Sequence, residues 1–335
     1  MNESSPEITQ TNPSASTLTV RSILGGVLMG LANLVPGISG GTMLLAAGVY
    51  PKFIDAIAEV TRFRFRTASI LLLVTVVASA GLAILLGAGL LKDLVLSHRW
   101  VMYSLFIGLT LGGIPTVWKL ARPANSGLIV AAFIAFGLMV ALAVMQHLNI
   151  VSESNANFMT LFFAGLAGAS AMILPGLSGG YILLLMGQYV PILSAIDELK
   201  TAISARDVSA AMDPILSVVL PVGLGVVIGV VAIGNLVQWL LRRHRKATLG
   251  FLLGLLIGSV AGLWPFRIGV EPEIGSQLKG KVVTQENIAD FDQEDWPTAP
   301  FTPSATQIAA SLALIALGIG ITWGVSKVGG EESET

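Results

Sequence analysis

Six uninterrupted apolar runs mark the chain, at 67–91, 100–117, 126–146, 214–241, 247–266 and 304–325, and none contains a Lys, Arg, Asp or Glu. Each is near the 20 or so residues needed to cross a bilayer as a helix. Asp213-Pro214 and Thr302-Pro303 read as an N-cap followed by a proline in the first helical turn, which would start two of the spans. Trp100, Trp118, Trp239, Trp264 and Trp323 fall near span ends, where an aromatic belt belongs. Two more apolar stretches, 20–57 and 158–196, are different. Each is broken by a helix-hostile phrase: NLVPGISGGT at 33–42 and MILPGLSGGY at 172–181.

The pattern repeats. Residues 26–59 align without gaps on 165–198, with Gly26, Pro36, Gly37, Ser39, Gly40, Gly41, Gly48, Tyr50 and Glu59 among the positions recurring 139 residues later. Gly108, Leu109, Gly112 and Trp118 recur as Gly254, Leu255, Gly258 and Trp264, at an offset of 146. The chain therefore divides into a disordered cytoplasmic tail at 1–18, a first membrane repeat at 19–150 and a second at 155–326. The tail is polar and has no basic segment of the signal-peptide kind. A Gly at each of 26, 30, 108 and 112 reads as close helix packing.

Charge orients the repeats. If both broken stretches cross the membrane, 8 of the 19 Lys and Arg lie inside and 11 outside; if both enter and return as hairpins, 12 lie inside and 7 outside. The positive-inside rule favours hairpins. The basic run Arg242-Arg243-His244-Arg245-Lys246 is cytoplasmic in both cases, and the acidic loop at 268–303 is extracytoplasmic in both. The first hairpin then enters from the cytoplasm. Three spans later the second enters from the other face, which is an inverted-topology repeat. The predicted fold is an all-α integral membrane protein, each half a re-entrant helical hairpin plus three transmembrane helices. Both termini face the cytoplasm, and the membrane is the inner, cytoplasmic one.

Composition agrees: 54% of residues are hydrophobic, 12% are charged, and mean hydropathy is +0.80. A net charge of −1 argues against nucleic acid. With no cysteine, thiolate metal sites, disulfides and redox thiols are excluded. No nucleotide-binding loop, metal-ligand spacing or nucleophile–base constellation is recognisable, so neither a cofactor nor a catalytic residue is assigned.

The broken phrases carry the chemistry. Non-helical backbone survives at membrane depth only against protein or a polar cavity. Pro36 and Pro175 interrupt the helical ladder, and Gly37, Gly40, Gly41, Gly176, Gly179 and Gly180 allow tight turns and close ligand approach. A new helix is predicted to start near Gly41 or Thr42 with Ser39 as N-cap, its free N–H groups facing the membrane interior. Ser39, Thr42, Ser178 and Tyr181 add hydroxyls. Two such helix starts meeting at the midplane would bind a small anion, most naturally a phosphate. Asn33, matched by Met172, either contacts the ligand or caps broken backbone. Asn235 and Gln238, near the inner end of a span, are expected to face the interface. Arg99, Arg206, Arg267 and Lys119 could attract anions to the two mouths. Arg62, Arg64 and Arg66, interleaved with Phe63 and Phe65, read as a basic segment against anionic headgroups.

The phrases ANLVPGISGGT, LPGLSGGYILLLMGQY and LLIGSVAGLWPF together resemble the polyprenyl-phosphate transporters (PopT type), a bacterial and archaeal family long filed as a domain of unknown function. The resemblance runs from about 20 to 325. It implies translocation of undecaprenyl phosphate, or a related carrier, from the outer to the cytoplasmic leaflet by alternating access, with the functional segments at 33–42 and 175–181. A coupling ion is left open. The residues alone also admit a small-anion transporter, an anion channel and, without a visible acid or base, a membrane lipid phosphatase.

Overall fold

In a computed structural model, residues 15–33, 38–147, 156–278, 281–288, 291 and 296–327 are described. The first half contains α1 (Ala15–Asn33), α2 (Gly40–Ala46), α3 (Tyr50–Thr61), α4 (Thr67–Ser97), α5 (Arg99–Gly112), α6 (Ile114–Ala121) and α7 (Ser126–His147). The second contains α8 (Phe158–Ile173), α9 (Gly179–Leu185), α10 (Tyr189–Ser204), α11 (Val208–Pro214), α12 (Leu220–Arg243), α13 (Arg245–Gly262) and α14 (Ala305–Lys327). Six helical stretches among these residues are long and apolar enough to span a membrane: Thr67–Gly87, Arg99–Ala121, Ser126–Met145, Val208–Arg243, Arg245–Gly262 and Ala305–Val325. The protein is therefore a mostly helical, multi-pass membrane protein. The all-α expectation gives way only in the polar loop before α14. There β1 (Arg267–Gly269) pairs antiparallel with β4 (Thr298–Pro300), and β2 (Gln277–Leu278) with β3 (Lys281–Val282). Outside hydrocarbon, chain too short and polar for a helix can satisfy its backbone across a ribbon. Asp290, Asp292, Glu294 and Asp295 of that loop lie outside the described residues.

Two predicted helix starts are corrected. The helix before α12 begins earlier, at Val208, where Asp207 accepts from the Ala210 N–H at 3.0 Å. The chain passes through Pro214 by way of a π-helical turn, Ile215–Val219. A wider turn absorbs the hydrogen bond that proline cannot donate. At α14 the cap is Ser304 rather than Thr302. The Ser304 N–H donates to Gln307 Oε1 (2.9 Å) and the Gln307 N–H to Ser304 Oγ (3.3 Å), a capping box. The span predicted at 100–117 is two helices, α5 and α6, divided at Gly113, with Pro115 in the first turn of α6.

Four helix pairs hold the bundle: α1 with α4, α8 with α12, α5 with α14, and α7 with α13. Glycine sets each contact. A Cβ on Gly26 would meet Ser79 and Val76, and one on Gly30 would meet Ala80. Likewise Gly225 meets Phe162 and Gly229 meets Leu166; Gly108 meets Ile315 and Gly112 Thr322; Gly250 meets Leu128 and Gly254 Ala132. Except at Gly112, which faces the Thr322 side chain, these are approaches to backbone that a side chain would block, and close packing is as predicted for Gly26, Gly30, Gly108 and Gly112. In every pair the two registers advance together, so all four pairs are parallel. Because α1 and α4 run the same way, the chain between Asn33 and Thr67 turns back toward the end where α1 began. The same holds for α8 and α12.

The halves interlock, since α5 packs on α14 and α13 on α7. Matched positions share backbone geometry. Gly48 and Gly187 have φ +71 and +67. His98 (φ −133, ψ 45) ends α4 as His244 (φ −130, ψ 46) ends α12.

Candidate functional site

The described parts of the two broken phrases meet inside the bundle. Ser39 Oγ donates to the Leu174 carbonyl at 3.0 Å, and the Gly176 N–H donates to Thr42 Oγ1 at 2.8 Å. Gly41 is pressed so close to the end of α8 that a Cβ there would lie 2.6 Å from the Ile173 carbonyl. Pro36 and Gly37 lie outside the described residues. In the second copy the turn is visible: Leu174-Pro175-Gly176-Leu177 closes with the Leu177 N–H on the Leu174 carbonyl at 3.4 Å. Gly176 has φ +91, and its missing Cβ would sit 2.6 Å from the Leu255 carbonyl of α13. Proline followed by a positive-φ glycine is the signature of a type II turn.

The helices after the breaks start at Gly40 and Gly179, one or two residues before the predicted start. Ser39 (φ −100, ψ 125) and Ser178 (φ −96, ψ 121) occupy N-cap positions in matching extended conformation, but neither side chain makes a capping bond. The capping role expected for Ser39 is thus replaced by a tie to the opposite half. Both α2 and α9 are seven residues long. What they offer an anion is the local N–H groups of a first turn rather than a long macrodipole.

Not all predicted residues come together in the same way. Ser39, Gly40, Gly41, Thr42, Pro175, Gly176 and Gly179 are buried. Ser178 is half-buried and its hydroxyl has no partner among the described residues, while Gly180 beside it is exposed. Tyr181 turns elsewhere, its hydroxyl donating to the Leu142 carbonyl of α7 at 2.9 Å. Asn33 is exposed, and its amide lies where a Cβ on Gly40 would be, about 3.0–3.2 Å away. Its counterpart Met172 stands in the same relation to Gly179. The matching position beside the helix start is therefore polar in the first copy and apolar in the second.

Sequence reading missed a polar latch. Asn235 and Gln238, expected at the interface, instead tie α12 to α3. Gln238 is 2% exposed and its Nε2 donates to Asp55 Oδ1 at 2.6 Å, with Arg242 3.5 Å from the same oxygen. Asn235 Nδ2 donates to Thr61 Oγ1 at 2.8 Å. Gln238 lies three residues, one helical turn, after Asn235, which places both amides on one face and is the signal that could have revealed them. Beside this latch, Gly48, Tyr50 and Pro51 share an apolar cavity of about 50 Å³ with Leu120, Leu241 and Leu249. The α2–α3 junction, the end of α6 and the α12–α13 turn thus lie at one end of the bundle.

Six apolar spans and two broken segments that meet inside the bundle define a multi-pass membrane protein with a polar contact at its centre. The chain belongs to the VCA0040-like family, described as undecaprenyl phosphate translocase-like, which it matches over residues 29–279. A polyprenyl-phosphate transporter of Vibrio cholerae is 28% identical over 323 residues, covering 91% of this chain and 95% of that one. A polyprenyl-phosphate transporter of Staphylococcus aureus is 29% identical over 251 residues, covering 72% and 85%. No solved structure matches.

Proposed function

We propose that this protein is a transporter that moves polyprenyl phosphate, in the first instance undecaprenyl phosphate, from the outer to the cytoplasmic leaflet of the inner membrane. The carrier lipid is thereby returned for another round of wall and glycan synthesis. The two relatives named as polyprenyl-phosphate transporters support the substrate class. The observation that carries the mechanism is the contact between the two PGxSGG segments, Ser39 to Leu174 and Gly176 to Thr42, in the middle of a twofold-repeated bundle.

In this reading each half is a re-entrant hairpin followed by three spans, and the halves are inverted. Parallel packing of α1 on α4 and of α8 on α12 supports it, because a single crossing at each break would make those pairs antiparallel. The grouping of Asp55 with Arg242, and of Arg99 with Arg267, supports it too. A crossing path puts the members of each pair on opposite faces. The phosphate head, which cannot cross hydrocarbon, is received by the Ser178 hydroxyl, Asn33 and the first-turn amides of α9 and α2. The isoprenoid tail stays in lipid. Exchange of the two hairpins between buried and open positions opens the site to each leaflet in turn.

Two experiments test this. The chain has no cysteine, so single cysteines replacing Arg64 or Lys119 should label only from the cytoplasm, and one replacing Ser276 only from outside. Labelling of position 64 from outside removes the hairpin topology. For transport, proteoliposomes carry undecaprenyl phosphate in both leaflets and a membrane-impermeant phosphatase is added outside. All of the lipid phosphate should be released when the protein is present, and about half when it is absent, since an impermeant enzyme reaches one leaflet. Release stopping at the protein-free level ends the transport reading.

A further inference from the structure

Arg99 opens α5 and is half-buried despite its charge. Its guanidinium lies over the Tyr103 ring, 4.5 Å from the centroid, and Nη2 donates to the Tyr103 hydroxyl at 3.1 Å. Its Nε is buried without a hydrogen-bond partner, and no carboxylate pairs with it among the described residues. A desolvated guanidinium N–H aimed at no acceptor is a standing cost to the fold.

Arg267, in β1, lies alongside. Its Nε donates to Thr298 Oγ1 at 2.9 Å and its Nη2 to the Thr298 carbonyl at 2.5 Å, which fixes the side chain on the β1–β4 ribbon. Burial first, and then the nearby Arg99 charge, lower the proton affinity of Arg267. Arginine keeps its proton at any ordinary pH, and β1 packs against α5, which brings two like charges to the same end of the molecule. A bridging anion stabilises such a pair. Aromatic rings adjoin it: Trp264 packs edge-on against Phe266 at 5.7 Å, and Phe266 against Phe301 at 5.9 Å. Trp264 is 54% exposed, as a ring at the membrane–water boundary is.

We propose that Arg99 and Arg267 form a reception site for a phosphate monoester at the outer mouth, where the lipid headgroup docks before it reaches the hairpins. The site rests on the transport reading above. Guanidinium groups bind phosphate oxygens through several N–H donors; Arg99 offers its unpartnered Nε, and Arg267, held by Thr298 through Nε and Nη2, adds positive charge beside it. The aromatic ring at headgroup depth favours a phosphate carried on a lipid over a free one. The repeat by itself does not make the site: Arg245, the match of Arg99 at offset 146, is exposed.

The test is binding of farnesyl phosphate to the purified full chain in lipid nanodiscs, with farnesol and inorganic phosphate in separate arms. Arg99→Gln should weaken farnesyl phosphate roughly ten- to a hundredfold, the value of a hydrogen bond to a charged group. Arg99→Lys should fall between, and Arg245→Gln should stay within about twofold. A single cysteine replacing Trp264 should be protected from an impermeant maleimide by farnesyl phosphate and not by farnesol. If wild type binds and both Arg99 variants bind equally well, the reception site is wrong and the transport reading stands. Equal weakening in Arg245→Gln means surface charge alone, and also overturns the site. Inorganic phosphate binding as tightly as farnesyl phosphate overturns the lipid headgroup as its ligand. If wild type binds no farnesyl phosphate at all, the transport reading falls with it. Should Arg99→Gln not fold, Arg99→Lys carries the comparison.

Discussion

The two segments that follow the breaks start from nearly the same sequence and end in different surroundings. Every residue of α2 is buried, while in α9 only Gly179 is. Helix α3 buries Tyr50, Phe53, Ile54, Ala56, Ile57 and Ala58 against α4 and α12. Helix α10 bends 112° from α9, packs on α11 and the π turn, and among its described side chains buries Ala195 and Ala202. Asp55, the anchor of the α3–α12 latch, is Ser194 in the second copy, which is too short to reach a partner across helices in the same way. In the proposed mechanism the first hairpin is closed and the second open, and the opposite-facing state would pack α10 on α4 as α3 now packs on α12.

The largest expected effect separates Gly41 from Gly180. Gly41→Ala forces a Cβ onto the Ile173 carbonyl, which cannot yield as a flexible side chain can. Overpacking of this kind costs about 1–3 kcal/mol, and the thermal unfolding midpoint of the purified protein should fall clearly. At Gly180 the nearest atom to a Cβ is Tyr189 Cε2 at 3.8 Å, so Gly180→Ala should leave the midpoint nearly unchanged. Equal losses in both variants would mean that the hairpins are equally packed.

Next come the two serines. Ser39→Ala removes the donor to Leu174 and should cost stability, about 1 kcal/mol for one hydrogen bond. Ser178→Ala removes no bond made within the described protein. It should leave stability alone and weaken farnesyl phosphate roughly tenfold or more in the nanodisc assay. A Ser178→Ala protein that binds normally would take Ser178 out of the site.

The latch gives a dynamic readout. Asp55→Ala leaves the buried Gln238 amide without its acceptor, at a cost of about 1–2 kcal/mol. Hydrogen exchange in α3 should then accelerate toward the rate seen in α10. Exchange unchanged in α3 would show that apolar packing, not the latch, holds α3 in place. The smallest contrast is expected where the halves agree. Gly48→Ala and Gly187→Ala each place a side chain at positive φ, and each should lose about 1–2 kcal/mol, with the two losses alike by the same thermal measurement.

Much of the architecture was legible in residue order. Apolar runs free of charge gave the spans, because length and transfer energy alone decide them. Gly26, Gly30, Gly108 and Gly112 gave the close helix contacts. Helix ends were less legible. Pro214 and Pro303 looked like first-turn residues, yet a π turn carries one helix through Pro214, and Ser304 displaces Thr302 as the cap. Local rules choose among several workable starts, and neighbouring helices select one.

What the sequence could not decide is which hydroxyl is spent on the protein and which keeps no partner among the described residues. Ser39 and Ser178 are the same residue in the same phrase with the same backbone angles. Only the contact with Leu174, 135 positions away, turns the first into a structural tie and leaves the second unpartnered. The same holds for Arg99 and Arg245, alike in sequence and separated by burial. Periodicity and composition are properties of segments and are read along the chain. The environment of a polar atom is set by segments far apart in sequence, so it exists only once they have packed.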